Sequence, residues 1–139
     1  MDRRLLAAMT ACALLVAACA AAAPEVDITK GQIGVDLKEH TISLTSREVR
    51  SGTVTFVSRN RGSIAHDLIV LRTDLTPDKV PLDTNTQKAK EDGRVGGVEE
   101  IAPGKNANLR LELAPGHYVL ICNVPTHFQL GMRTELTVN

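Results

Sequence analysis

From residue 52 onward, apolar side chains recur at every second position in short runs separated by turn signals. In "GTVTFVSRN", Val54 and Phe56 point one way while Thr53, Thr55 and Val57 point the other. In "NANLRLEL", Leu109, Leu111 and Leu113 alternate against Asn108, Arg110 and Glu112. "AHDLIVLR" is a continuous apolar run, the pattern of a strand covered on both faces. "GHYVLICN" and "MRTELTVN" read as strands as well, and "EVDITKGQIGVDLKEHTISL" as two short strands or a broken one, with Gly31 and Gly34 as punctuation. The turns fall at "NRGS", "APGK" and "APGH". Short strands with such punctuation predict an all-β fold, a Greek-key sandwich or barrel of about seven to eight strands, rather than a parallel α/β sheet. One segment stands apart. Residues 73–99 are polar, contain Pro77 and Pro81, and predict an excursion with a short helix, capped by Asn85 or Thr86, filled by "QKAKED" and ended by Gly93. An excursion of this length between strands is decoration or a functional loop.

The chain has 139 residues, enough for one ordinary domain. Its first 18 residues carry Arg3 and Arg4 ahead of an apolar stretch, Leu5 to Ala18, shorter than a bilayer span. "LVAAC" resembles the lipobox of bacterial lipoproteins, which implies cleavage before Cys19 and lipidation of its thiol. Cleavage within Ala20–Ala23 and an uncleaved anchor are the rival readings. On the first, residues 1–18 are a signal peptide, 19–24 a short tether and 25–139 the folded domain. The five residues after Cys19 reach about 17 Å when extended, which would keep that domain close to a membrane. Lysine plus arginine balance aspartate plus glutamate at 16 each, with no Trp, one Tyr and two Phe. No basic stretch is interleaved with aromatics, so nucleic acid is not an expected partner.

Cysteine usage points to chemistry. Cys12 falls in the leader and Cys19 would carry lipid, so Cys122 is a lone thiol in an exported, oxidising setting. Metal ligation is one reason for a chain to keep it. In "YVLICNVPTHFQLGM", strand periodicity puts Tyr118, Leu120 and Cys122 on one face, with Cys122 at the strand's end. His127 and Met132 follow at intervals of four residues, Pro125 stiffens the loop and Gly131 permits a turn back. His66, at the start of the run "DLIVL", is the natural second histidine. A thiolate, two imidazoles and a weak thioether make up the donor set of blue copper electron-transfer sites. His40 in "KEHT", flanking a predicted turn, and His117 in "PGHY", a strand length from Cys122, are expected outside this site.

The pattern resembles the cupredoxin family of small blue copper proteins, strongest in "LAPGHYVLICNVPTHFQLGM"; its Cys-x4-His-x4-Met spacing is that of auracyanin- and sulfocyanin-type members. The resemblance implies one type 1 copper ion with His66, Cys122 and His127 as equatorial ligands and Met132 as the weak axial one. It also implies that Asp67, after the first histidine, ties the ligand loops together, with Asn123 as its partner, and that the Ala65 carbonyl approaches the metal as a further weak axial contact. Two features depart from the family pattern: the 73–99 excursion, and Thr126 where glycine often precedes the second histidine.

These readings predict a one-electron carrier of the bacterial cell envelope, exported and lipid-anchored through Cys19. A redox partner would dock on an uncharged apolar collar around His127, formed by Val124, Pro125, Phe128, Leu130 and Met132. The alternative is a module for copper storage or delivery with the same ligands. Catalysis is not expected: the second loop cysteine of a dinuclear copper centre, the His-x-His pairs of multicopper oxidases, a Ser–His–Asp grouping and a phosphate loop are all missing from the sequence.

Overall fold

The computed structural model describes residues 25–139, so the leader, Cys19 and the tether lie outside the described residues. Two short 3-10 turns occur among the described residues, at Ile28–Lys30 and Pro77–Lys79, and the first is closed by Gly31 in the left-handed conformation, φ 69°. The strands are β1 (Gln32–Lys38), β2 (Thr41–Leu44), β3 (Glu48–Val49), β4 (Gly52–Asn60), β5 (His66–Arg72), β6 (Leu82–Asp83), β7 (Lys88–Ala89), β8 (Arg94–Ile101), β9 (Asn106–Leu113), β10 (Gly116–Ile121) and β11 (Arg133–Val138). Among the described residues, eight of these span four or more residues and build the fold. They form a sandwich of two sheets, ordered β2-β1-β4-β9 and β3-β11-β10-β5-β8, with β6-β7 as a separate hairpin. Among its longer strands the chain changes sheet between β4 and β5, β8 and β9, and β9 and β10, and the short β3 crosses to the second sheet and back, the long-range crossing of a Greek-key sandwich. No helix among the described residues is long and apolar enough to cross a membrane.

The inward faces interlock as the alternation requires. Val35, Leu37, Val54 and Phe56 from one sheet meet Leu68, Val70, Tyr118, Leu120 and Leu136 from the other, all at most 1% exposed. Each such side chain contributes about 1.5–3 kcal/mol of transfer free energy relative to exposure. The outward face of β5 and β10 is buried too: Ile69, Leu71, Val119 and Ile121 pack under Val80, Leu82, Ala89 and Phe128. This second cluster explains why "DLIVL" and "YVLI" are apolar without interruption, and it gives the excursion its structural role as cover for the sheet.

The excursion departs from the helix predicted within it. Residues 85–93 form no helix; Thr84 to Gln87 are the turn of the β6–β7 hairpin, with Gln87 at φ 58°. The reason lies in tertiary bonding. Asn123 takes both backbone groups of Ala89, accepting from its N–H at 2.8 Å and donating to its carbonyl at 3.1 Å, which holds that segment extended against the sheet. Gly93 does end the segment, at φ 79°, but it leads into β8. Strand β8 lacks an alternating pattern because its glycines serve contact: a Cβ on Gly96 would lie 2.6 Å from Leu111 Cδ2, and one on Gly97 2.6 Å from Ile69 Cδ1. Gly34, expected to break a strand, sits inside β1, where the Thr45 side chain crosses over it and accepts its N–H at 2.9 Å.

Candidate metal centre

One end of the sandwich gathers the predicted donors. Cys122 follows directly on β10, carries on the inward face of Tyr118 and Leu120, and is fully buried. His66 opens β5 with no exposed surface. The intervening loop coils back on itself: the His127 N–H donates to the Val124 carbonyl at 3.0 Å, Leu130 to Thr126 at 3.1 Å and Met132 to His127 at 3.0 Å. The Cys122 N–H then donates to the Met132 carbonyl at 3.0 Å, so the loop closes with both ends adjacent. Gly131, at φ 117°, makes the reversal just before Met132. Met132, fully buried, joins Cys122 in the same core cluster.

The donor atoms of His66, Cys122 and His127 lie within 4.8 Å of one another. Cys122 Sγ is 3.8 Å from His66 Nδ1 and 3.5 Å from His127 Nδ1. Metal bonds of about 2.0 Å to nitrogen and 2.3 Å to sulfur, meeting at a trigonal angle, separate their donors by about 3.7 Å. The three side chains therefore fit around one ion of that size. The donor set, a thiol with two imidazoles beside a thioether, suits copper among first-row metals.

Electrostatics favour the forms that ligate. Burial, and then the neighbouring His127, holds His66 below its ordinary pKa; burial and the nearby His40 do the same for His127, which favours the neutral imidazoles at pH 7. Burial pushes the Cys122 thiol up, opposed by the Asp67 N–H, which donates to the sulfur at 3.2 Å. Binding a metal here must then displace the thiol proton. His127, 7% exposed, is the one of the four that reaches the surface; the other three show none.

Asp67 and Asn123 are both buried, but they do not pair as expected. The Asp67 carboxylate accepts from the Glu100 N–H at 2.9 Å, and Asn123 bonds Ala89 and donates to Glu91 at 2.7 Å. The β6–β7 hairpin lies where it can take the Asn123 amide, so the tie between loops runs through the excursion. The Asp67 backbone, rather than its side chain, makes the link to the cysteine. Ala65 immediately precedes β5 and lines a shallow depression with Ile64, Val124 and Pro125. The apolar collar is smaller than expected: Leu130 and Pro125 are exposed and Val124 is half-buried, but Met132 faces the core and Phe128 is drawn under the excursion. Ile64, 44% exposed, adds to it from the neighbouring loop.

His117 lies at the far end, its Nδ1 2.7 Å from the Thr73 carbonyl, as expected. His40 does not stay out of the site: its ring lies edge-on to His127, centroids 6.2 Å apart. The cause is topological. Strand β1 runs parallel to β4, with Leu37 beside Asn60, so the β1–β2 turn emerges at the same end as the loop leading to His66. His40 takes the left-handed conformation there, φ 65°. That same turn supplies Glu39, which sequence reasoning passed over. Its carboxylate accepts from the Ser63 N–H and hydroxyl and from the Ile64 N–H, and these donors, Ser63 foremost, hold its pKa down at about 2. Asn60, also unforeseen, fixes the loop from inside by donating to the Ile64 and Ile101 carbonyls, both at 2.7 Å, and accepting from Gly62 at 2.8 Å. Thr126 holds φ 73°, a conformation natural to glycine, and its N–H donates to the Gln87 carbonyl at 2.9 Å. The excursion thus supports the departure from the family pattern at that position.

Residues 25–139 match the family of copper binding proteins described as the plastocyanin/azurin family. Among solved structures, the fold resembles a dithionite-reduced auracyanin from the photosynthetic bacterium Roseiflexus castenholzii (21% identity, TM-score 0.59, covering 78% of this chain and 97% of that one). It also resembles auracyanin B (16%, 0.60, 78% and 88%) and rusticyanin from Thiobacillus ferrooxidans (16%, 0.56, 78% and 78%). At these identities the likeness concerns the fold alone. No curated protein matches by sequence.

Proposed function

Because the chain belongs to the plastocyanin/azurin family of copper-binding proteins, we propose that it is a mononuclear type 1 copper protein that carries single electrons in a bacterial cell envelope. His66, Cys122 and His127 would hold the ion, with Met132 as a weaker fourth donor. The observation that carries this reading is the convergence of a buried thiol and two neutral imidazoles at 3.5 and 3.8 Å, at the end of two adjacent strands. The ion, when bound, supplies a Cu(II)/Cu(I) couple. The chain's part is to fix the donors. Strands β5 and β10 are hydrogen-bonded neighbours, so His66 and Cys122 are held by a rigid ladder, and the Asp67 N–H directs the sulfur. Such a frame changes little between oxidation states, which keeps the electron step fast.

A carrier is favoured over a delivery module by burial. Handing on an ion needs ligands a recipient can reach, whereas here His127 alone shows any surface, at 7%. Electrons would pass at the His127 edge, inside a collar of Leu130, Pro125, Val124 and Ile64 that suits brief docking of a redox partner. Export and lipid anchoring at Cys19 complete the proposal and place the domain at a membrane surface. The test is spectroscopic. Cu(II) loading should produce an intense thiolate-to-copper charge-transfer band that Cys122→Ser abolishes; a colourless complex would remove the electron-transfer reading. For the anchor, metabolic labelling with a fatty acid should mark the wild-type chain and not Cys19→Ser.

A further inference from the structure

His66 presents Nδ1 to the cysteine sulfur, which turns Nε2 away from the site. A neutral imidazole that ligates through Nδ1 must carry its proton on Nε2. That nitrogen is buried and has no hydrogen-bond partner among the described residues. A buried N–H left unmatched costs about 1–3 kcal/mol, so an acceptor is to be sought. Glu39 Oε1 lies 3.7 Å away, a gap too narrow to admit a bridging water and only a few tenths of an ångström beyond a hydrogen bond. Gly62 closes the space beside them: a Cβ there would fall 2.8 Å from His66 Nε2 and against the same Glu39 oxygen. The carboxylate is meanwhile held in place by the Ser63 and Ile64 donors.

We propose that Glu39 is the positioning residue of the copper centre, its carboxylate accepting the His66 Nε2–H when Nδ1 binds the metal. The inference rests on the type 1 copper reading and adds to it a residue from an element, the β1–β2 turn, that contributes no ligand. Its chemical consequence has a definite direction. A carboxylate acceptor makes the imidazole a stronger donor and sets a negative charge near the ion. Both stabilise Cu(II) more than Cu(I), so Glu39 lowers the reduction potential. Gln at this position keeps the shape and can still accept from Ser63 and Ile64, but it removes the charge.

The test compares wild type with Glu39→Gln, both loaded with copper. The variant should stay blue, with its affinity for Cu(II) relative to Cu(I) falling about tenfold, read by voltammetry as a potential about 59 mV higher for one electron. A second measurement needs no variant: in the Zn(II)-loaded wild-type chain, the His66 Nε2 proton should resonate far downfield and exchange slowly, as a charged acceptor requires. If Glu39 merely braces the 61–64 loop, Glu39→Gln, which still accepts from Ser63 and Ile64, would leave the potential at its wild-type value whatever the unfolding midpoint, and the proposal is overturned. A His66 Nε2 proton at the unbonded position overturns it equally. Failure of the copper reading itself looks different, because then the wild-type chain shows no charge-transfer band at all.

Discussion

Two histidines in this molecule each stand beside a glutamate, at opposite ends of the sandwich, and they differ in what the protein gives them. His117 is partly exposed, with Nδ1 2.7 Å from the Thr73 carbonyl and Nε2 3.4 Å from Glu135 on the adjacent strand β11. Its Nδ1 is matched by the fold, and the rest of the ring reaches solvent. His66 is wholly buried; among the described residues its Nδ1 has only the Cys122 sulfur at 3.8 Å, and its Nε2 has no bonded partner. Folding does not satisfy that ring. Buried polar groups in native proteins are nearly always matched, so one that is left open marks a place where something else completes the structure. The ligand pole is therefore built incomplete, whereas the His117 pole is an ordinary part of a stable sandwich.

The largest effect that can break this contrast is loss of a ligand. His66→Ala should abolish the blue band and weaken Cu(II) binding beyond the roughly 10–100-fold expected for a residue that only supports a ligand; isothermal titration and absorbance would show it. Met132→Gln should keep the colour while lowering the potential, because an oxygen donor favours Cu(II); an unchanged potential would put Met132 outside the coordination sphere. Asn123→Ala sharpens the comparison at the boundary of the pole. It strips both backbone partners from Ala89 and should cost about 1–3 kcal/mol in denaturant unfolding, with the blue band retained. Smallest of all, His117→Ala should leave spectrum and potential alone and cost about 1 kcal/mol for the lost bond to Thr73.

The strands were legible in the sequence wherever one face is buried and the other is not, as at Val54 and Phe56 or Leu109 to Leu113, since burial then writes itself into alternate residues. Strand β8 was hidden because "RVGG" meets its neighbours through glycine backbone, and contact of that kind leaves no side-chain pattern. The helix expected near Asn85 failed for a related reason: local caps and formers were present, but Asn123, more than thirty residues away, holds Ala89 extended. At the site, Cys122, His127 and Met132 share one loop and one spacing, so local sequence was enough to find them. His66 could be picked out because it opens an apolar strand. Glu39 and His40 could not. Their nearness depends on β1 pairing parallel to β4, a long-range choice that no motif in "KEHT" records.

Whether this pole holds one copper ion through the Cys122 sulfur is decided by a Cu(II) titration of the metal-free domain followed by absorbance. An intense thiolate band should rise linearly and stop at one equivalent. A titration that stays colourless, or a band undiminished in Cys122→Ser, would contradict such binding.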